Sequence, residues 1–318
     1  MVALVGYTGF VGSNIYAKGQ IDKAYNSKNI EDAYGLEPDL LIYSGLRAEK
    51  YLANNAPQKD MELIEQAKEN IAKIAPKKLV LISTVDVWKE PNGKTEEDAI
   101  NCEGLHAYGL NRYRLECWVR ENYPDALIIR LPGLFGISIK KNFIYDYINV
   151  IPFMLKEAKF AELLAKEPEL LAECYDLQDN GFYKCKELPS EKRDALKECF
   201  KRLGFTALNF TDSRNVYQFY PLERLWDDIQ TALEHDIRLW HPATEPVSAA
   251  AVYEYLTGDV FCNELGGTPV FYDYRTKYAE VFGGKDGYIC DKEQILQRIA
   301  EFVSKSSIAE SDLNGKGE

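Results

Sequence analysis

The stretch VALVGYTGFVG, residues 2–12, decides the fold of this 318-residue chain. An apolar run that ends in glycines spaced GxxGxxG predicts a buried strand, a tight turn and the start of a helix. Glycines let the backbone approach a pyrophosphate, and the first helical turn offers unpaired N–H groups to the anion. The alternative is a turn needed only for close helix–strand packing. The residues that we expect to contact the phosphates are Gly6, Thr8, Gly9, Phe10, Val11 and Gly12.

Short apolar runs alternate with helical patterns through the rest of the first half. Strands are predicted at 23–27, 39–45, 77–84 and 126–136, and helices at 10–19, 61–75 and 107–122. This alternation is typical of a parallel sheet covered on both faces, which predicts an α/β fold with a doubly wound parallel sheet, a Rossmann fold. Further helices are predicted at 222–235, 247–258 and 291–305, and residues 155–205 are helix-rich with little strand signal.

The chain is longer than one hydrophobic core usually serves, so we expect two interleaved parts. The dinucleotide-binding domain is predicted to span 1–136, with 207–240 returning to it. A smaller substrate-binding lobe is assigned to 137–206 and 241–305, and 306–318 to a frayed tail.

Composition excludes several classes of function. The net charge is −12 and no stretch is strongly basic, so neither nucleic acid nor an anionic membrane surface is expected as a partner. The seven cysteines are odd in number and lack CxxC spacing, which favours reduced thiols in the cytoplasm. No histidine has metal-ligand spacing, so no metal site is expected. The apolar run after Met1 is read as a strand rather than a signal peptide, and no run approaches the ~20 residues of a membrane span.

The end of the second strand bears on the choice of cofactor. A carboxylate for the adenosine ribose is expected about 20 residues after the glycine turn. This chain has Asn26, Ser27 and Lys28 there instead. Ser27 and Lys28 could contact a ribose 2′-phosphate, which favours NADP slightly over NAD; an ordinary surface lysine is an equal alternative.

The stretch YGLNRYRLE, residues 108–116, places a phenol and a cation on one helix face, because Tyr108 and Arg112 are four residues apart. Free tyrosine has a pKa near ~10, so a nearby cation is needed if it is to exchange protons at neutral pH. The alternative is that Arg112 pairs with Glu116 on the helix surface.

Four segments together resemble the extended short-chain dehydrogenases/reductases, and within them the NAD-dependent epimerase/dehydratase and dTDP-4-dehydrorhamnose reductase group. They are GYTGFVG (6–12), LISTVDVW (81–88), YGLNRYRLE (108–116) and RLPGLFG (130–136), followed by KNF (141–143). The resemblance covers residues 1–150 best. It implies that Tyr108 is the acid–base group, that Thr84 holds the reacting oxygen, and that Arg112, where lysine is usual, tunes Tyr108 and binds the nicotinamide ribose.

The resemblance also implies secondary contacts. Asp86 is a candidate for a second acid–base group, although the aspartate of the reductase pattern corresponds to Val85. Further cofactor contacts are expected at Ser44, Gly45, Arg47, Ser83, Leu131 and Gly133, and further substrate contacts at Val85, Asp86 and Asn142.

The sequence therefore predicts an NAD(P)-dependent oxidoreductase or epimerase acting on a nucleotide-linked sugar, with keto-sugar reduction slightly preferred and a homodimer compatible with the pattern. The competing hypothesis is a nucleotide-binding or regulatory protein on the same fold, with catalysis impaired by arginine at position 112. A structural subunit that binds no nucleotide is a third, weaker hypothesis.

Overall fold

The chain folds, in a computed structural model, into two compact units, and the structure describes the backbone of residues 1–314 and the side chains of residues 1–306. The first unit comprises 1–139, 216–247 and 271–296, and the second 140–215, 248–270 and 297 onward. Four segments differ from the sequence-based division. Residues 137–139, 241–247 and 271–296, assigned to the lobe, cluster with the first unit, and residues 207–215, expected to return to it, cluster with the second.

The first unit is built on a six-stranded parallel sheet. Its strands are β1 (Val2–Val5), β2 (Lys23–Tyr25), β3 (Leu40–Tyr43), β4 (Leu79–Thr84), β5 (Leu127–Leu131) and β12 (Leu239–Trp240). Their order across the sheet is β12-β5-β4-β3-β1-β2. The short strands β6 (Gly133–Phe135) and β11 (Phe219–Pro221) pair in parallel beside it. Strand β10 (Val216–Tyr217) pairs with β13 (Val247–Ser248).

Helices cover the sheet on both sides, as the alternating pattern predicts. They are α1 (Phe10–Lys18), α2 (Lys50–Asn55), α3 (Pro57–Ile74), α4 (Ala107–Asn122) and α9 (Leu225–Glu234). On one face, strand residues such as Ala3, Leu41 and Leu79 are fully buried against Ile71 of α3 and Leu115 of α4. Each fully buried side chain of this size contributes about 1.5–3 kcal/mol, so this layer is a main source of stability.

The second unit has its own core and more strand than the sequence indicated. Its helices are α5 (Phe143–Asn149), α6 (Glu157–Leu164), α7 (Pro168–Cys174), α8 (Ser190–Leu203) and α10 (Ala249–Thr257). Strands β7 (Met154–Lys156), β8 (Tyr175–Leu177) and β9 (Phe182–Cys185) form an antiparallel sheet of order β7-β9-β8. The expectation of little strand in 155–205 is therefore wrong, because three- and four-residue strands are too short to show an alternating pattern.

The last helix, α11 (Lys292–Asn314), continues past Lys305, where the sequence-based helix ends. Of the tail predicted to be frayed, residues 315–318 lie outside the described residues. Within residues 1–314 there is no helix whose length and apolar content would let it cross a membrane.

Candidate functional site

The glycine turn joins β1 to α1 in a conformation that requires its glycines. Gly6 has φ +91°, and a Cβ there would lie 2.4 Å from the backbone oxygen of Ser44. A Cβ on Gly12 would lie 2.1 Å from the oxygen of Gly6. Helix α1 begins after Gly9, which has no side chain to cap it. The backbone N–H groups of the first turn are therefore open to an anion.

The ends of the neighbouring strands meet at this turn. The Gly6 N–H donates to the Tyr25 carbonyl at the end of β2 (2.7 Å), and the Ser44 N–H after β3 donates to Val5 at the end of β1 (2.9 Å). The structure thus brings Ser44 and Gly45 to the glycine turn. In doubly wound sheets, ligands bind at this edge, beyond the carboxyl ends of the strands.

Asn26 follows β2 directly, at the position where a ribose-binding carboxylate is expected. Its side-chain oxygen accepts a hydrogen bond from the Lys28 N–H (2.9 Å), which closes a turn that leaves Ser27 and Lys28 exposed. The nearest carboxylates after this turn are Glu31 and Asp32. The turn therefore presents a hydroxyl and an ammonium group to solvent rather than an acid.

Thr84 and Tyr108 are brought together at the end of β4. Thr84 is the last residue of the strand, and its hydroxyl accepts a hydrogen bond from the Asp86 N–H (3.1 Å). Tyr108, in the first turn of α4, is 7% exposed, and the Thr84 side chain lies near enough to its phenol to act on its pKa. The fold therefore brings these two hydroxyls to the same strand end.

The pKa of Tyr108 is raised above its usual value of 10.0, mainly by burial. The charge of Arg112 and the polar side chain of Thr84 lower this pKa, whereas the carboxylates of Asp86 and Asp60 raise it. Burial disfavours the phenolate because the charged form loses its hydration. The group is consequently protonated at neutral pH.

Arg112 is buried, and two of its nitrogens are occupied by the protein. Nη1 donates to Asp60 Oδ2 at 2.5 Å and Nη2 donates to the Arg47 carbonyl at 2.8 Å. The guanidinium carbon lies 4.0 Å from the centre of the Tyr108 ring. The cation is thus stacked over the face of the phenol ring in a cation–π geometry. Asp60 of α3 holds it there, and this ion pair is buried inside the fold.

The alternative pairing of Arg112 with Glu116 is wrong. Glu116 is fully buried and binds Arg130, with Nη2 to Oε2 at 2.7 Å, while Arg120 donates to the same oxygen at 2.8 Å. The hydroxyl of Ser83 donates to Glu116 Oε1 at 2.6 Å. Because Ser83 points into this buried network, its side chain is not available to a ligand, contrary to the predicted cofactor contact.

Asp86 is brought to the same strand end. Its carboxylate accepts a hydrogen bond from the Lys50 ammonium group at 2.9 Å, and its charge acts on Tyr108. His106 caps α4 by accepting the Gly109 N–H at 3.0 Å, and burial, with the charge of Lys50, lowers its pKa. Sequence reasoning missed Lys50 and Asp60 because their partners are distant in the chain, and His106 because histidine is not among the usual N-cap residues.

The remaining predicted contacts are distributed as follows. Leu131 is in register with Thr84 across β4 and β5, and Gly133 follows on β6 at an exposed position. Val85 is buried among apolar side chains, so it offers only its backbone to a ligand. Asn142 belongs to the second unit, where its side chain caps α5 by accepting the Tyr145 N–H at 3.1 Å.

This six-stranded parallel sheet, covered by helices on both sides, is a Rossmann-like α/β fold with a glycine turn at one strand end and a threonine–tyrosine pair at another. No protein-family model matches the chain, and no curated protein sequence matches it. Solved structures do match over nearly the whole length.

A dTDP-4-dehydrorhamnose reductase from Clostridium acetobutylicum is 14% identical, with a TM-score of 0.59 over 96% of this chain and 99% of that one. A dTDP-4-dehydrorhamnose reductase from Bacillus anthracis, in complex with NADP, is 14% identical, with a TM-score of 0.60 over 96% and 97%. A UDP-N-acetylglucosamine 4-epimerase from Methanobrevibacter ruminantium, in complex with UDP-N-acetylmuramic acid, is 12% identical, with a TM-score of 0.60 over 95% and 96%. The predicted resemblance is confirmed at the level of the fold.

Proposed function

We propose that the protein is an NAD(P)-dependent oxidoreductase or epimerase acting on a nucleotide-linked sugar, with keto-sugar reduction favoured. The observation that carries this proposal is that Thr84 ends a strand beside Tyr108, close enough for the Thr84 hydroxyl to act on the phenol. The two residues lie at the carboxyl end of a parallel strand, on the sheet edge that also carries an uncapped helix N-terminus preceded by Gly6 and Gly9. Solved neighbours on this fold include a reductase in complex with NADP.

The residues present fit a dinucleotide. A Cβ at Gly6 or Gly12 would collide with the backbone, so only glycine fits at these two positions. The N–H groups of the turn would hold the pyrophosphate. Asn26, Ser27 and Lys28 would contact the adenosine ribose, and the lack of a carboxylate among them favours NADP over NAD. When bound, the cofactor supplies or accepts the hydride.

The chain itself supplies the proton. The buried Tyr108 phenol is protonated at neutral pH, so it can donate to a carbonyl oxygen that gains negative charge. The single proton of the Thr84 hydroxyl would point at the same oxygen when substrate is bound, and the Asp86 N–H, which donates to Thr84 Oγ1, fixes the orientation of that hydroxyl. Arg112 stabilises the phenolate that remains after transfer, because its charge lowers the Tyr108 pKa.

The protonation state of Tyr108 in the free protein suits reduction better than epimerisation. Reduction starts from the protonated phenol, whereas an epimerase must first take a proton from a sugar hydroxyl when the sugar is oxidised. Burial raises the pKa of Tyr108 and so keeps it in the protonated state, from which it cannot act as the base. The solved neighbours include enzymes of both kinds, so the fold alone does not decide between them.

A second candidate is a nucleotide-binding protein without turnover, which the buried ion pair between Arg112 and Asp60 favours. An arginine whose donors are held by Asp60 and the Arg47 carbonyl has fewer left for a ribose. Substituting Arg112→Lys separates the two candidates. We expect activity to fall, because a lysine cannot bind both partners; a large gain in activity would support the non-catalytic candidate.

The experiment that tests the proposal is the Tyr108→Phe variant, with Tyr113→Phe on the same helix as its control. Isothermal titration should show NADPH affinity within about threefold of wild type in both variants. Reduction of a nucleotide-linked keto-sugar should be lost only in Tyr108→Phe. Unchanged activity in that variant would remove Tyr108 from the proposed role.

We propose that the second unit is the substrate-binding lobe and that it determines which sugar and nucleotide bind, with Asn142 among the residues that contact them. A homodimer and a cytoplasmic location remain predictions; light scattering and fractionation measure them.

A further inference from the structure

The segment 140–215 of the second unit forms a packed structure of its own. Its core includes Leu155 of β7, Phe160 of α6, Leu171 of α7 and Phe200 of α8, all of them at most 5% exposed. The antiparallel sheet of β7, β9 and β8 gives this core a rigid wall. A cleft built on such elements keeps its shape without a ligand.

This segment contains a cleft lined by residues of α5, β8, β9 and the start of α8. We call it the insert cleft. Its volume is about 680 Å³, within the range of small-molecule sites. Its lining includes Tyr145, Asn149, Phe153, Lys184 and Arg193. Every lining residue belongs to the second unit, and none was singled out from the sequence.

Arg193 is the residue that gives the insert cleft its chemistry. Its Nη2 donates to Asn149 Oδ1 at 2.6 Å, and its guanidinium lies near the Tyr145 hydroxyl, on whose pKa its charge acts. Both of these neighbours are neutral. Arg193 makes no ion pair with any carboxylate in the part of the chain that the structure describes, so its charge is held in place but not compensated. A fixed guanidinium with free donors matches the geometry of a carboxylate or phosphate.

Other lining residues agree with an anionic ligand that has an apolar part. The Lys184 ammonium group lies 5.3 Å from the centre of the Phe153 ring, and within the described residues it too makes no ion pair. Lys186 is neutralised by Asp176 at 3.1 Å, and Glu187 is exposed. Phe153 is 59% exposed, which leaves a ring face available to an apolar group. Of the two cations without an ion-pair partner, Lys184 therefore lies beside the exposed ring and Arg193 lines the same cleft.

We propose that the insert cleft binds a small organic anion, with its carboxylate or phosphate on Arg193 and its apolar body against Phe153. This site goes beyond the proposed function and does not rest on it, because none of its residues takes part in the reaction of the first unit.

The test is isothermal titration of the full chain with four probes: phenyl phosphate, benzoate, inorganic phosphate and benzyl alcohol. We expect one equivalent of phenyl phosphate or benzoate to bind, and to bind equally well with NADPH present or absent. Whichever of the two binds more tightly identifies the oxyanion. Benzyl alcohol, which lacks the charge, and inorganic phosphate, which lacks the ring, should each bind about tenfold or more weakly.

Variants assign the binding to the cleft. Arg193→Gln should weaken the better probe by about tenfold or more. Lys192→Gln, one residue earlier and paired with Glu173, is the matched control and should leave affinity unchanged. Because Arg193 also holds Asn149, Lys184→Gln serves as a second variant that removes a charge from an exposed position; it should weaken binding severalfold.

Three results would overturn the proposal: no binding of either organic anion up to about 10 mM; equal binding of benzyl alcohol or inorganic phosphate; or equal losses in Arg193→Gln and Lys192→Gln. Loss of activity with NADPH bears only on the first unit, so failure of the proposed function and failure of this inference are distinguishable.

Discussion

The ion pair between Asp60 and Arg112 makes Asp60→Asn the most informative substitution. The two side chains are 7% and 4% exposed, and Asp60 Oδ2 accepts from Arg112 at 2.5 Å and from Asn111 at 2.9 Å. Asparagine keeps the shape and one acceptor oxygen but removes the charge. Breaking a buried pair by removing one partner costs about 3–5 kcal/mol, because the other charge stays buried. At about 2–4 °C per kcal/mol, Tm should fall by about 6–20 °C.

The same substitution should also change the phenol. The Asp60 carboxylate raises the pKa of Tyr108, and the charge of Arg112 lowers it. Removing only the carboxylate therefore lowers the Tyr108 pKa, so the phenol ionises at a lower pH. Ultraviolet difference titration of the phenolate, with the Tyr108→Phe variant as baseline, measures this shift.

The assay for stability is thermal unfolding followed by circular dichroism. The control is Glu65→Gln, on the exposed side of the same helix, whose pair with Lys68 should contribute at most about 1 kcal/mol. A loss in Asp60→Asn no larger than in Glu65→Gln would show that Arg112 is not held by Asp60. A Tyr108 pKa that rises in Asp60→Asn would contradict the electrostatic account.

Two further substitutions and one pH dependence give separate tests. Gly12→Ala should abolish NADPH binding in a fluorescence titration, because its Cβ would lie 2.1 Å from the Gly6 oxygen; normal affinity would remove the glycine turn from the site. Glu116→Gln should lower stability by about 3–5 kcal/mol, measured by urea unfolding, since Arg130 would lose its buried counter-charge. The rate of reduction should stay level through neutral pH and fall only above pH ~10, because burial raises the Tyr108 pKa and deprotonation removes the acid; a fall near neutral pH would contradict this.

Much of the first unit could be predicted from the sequence because its signals are local. The helix predicted at 107–122 is observed as Ala107–Asn122, and the strand at 77–84 as Leu79–Thr84. Ser248 caps α10, the helix predicted at 247–258, with its hydroxyl accepting the Ala251 N–H at 3.1 Å. Apolar periodicity, helix caps and glycine spacing each depend on residues close together in the chain, so they can be recognised without tertiary information.

The parts that could not be predicted depend on distant residues. Asp60 reads as an acidic residue in the first turn of a helix, yet its partner is 52 residues away. Ser83 and Thr84 are adjacent hydroxyls, and only the sheet shows that Ser83 binds buried Glu116 whereas Thr84 lies beside Tyr108. The insert cleft likewise arises from short strands and from Arg193, whose neutral partners have no sequence signal.

The most direct test of the account is transfer of deuterium from NADPH, labelled at its transferable position, to a nucleotide-linked keto-sugar, followed by mass spectrometry. The account predicts that the wild-type protein and Tyr113→Phe place one deuterium on the sugar, whereas Tyr108→Phe places none while still binding NADPH. Transfer at the wild-type rate by Tyr108→Phe, or no transfer to any such sugar by wild-type protein that binds NADPH, would contradict it.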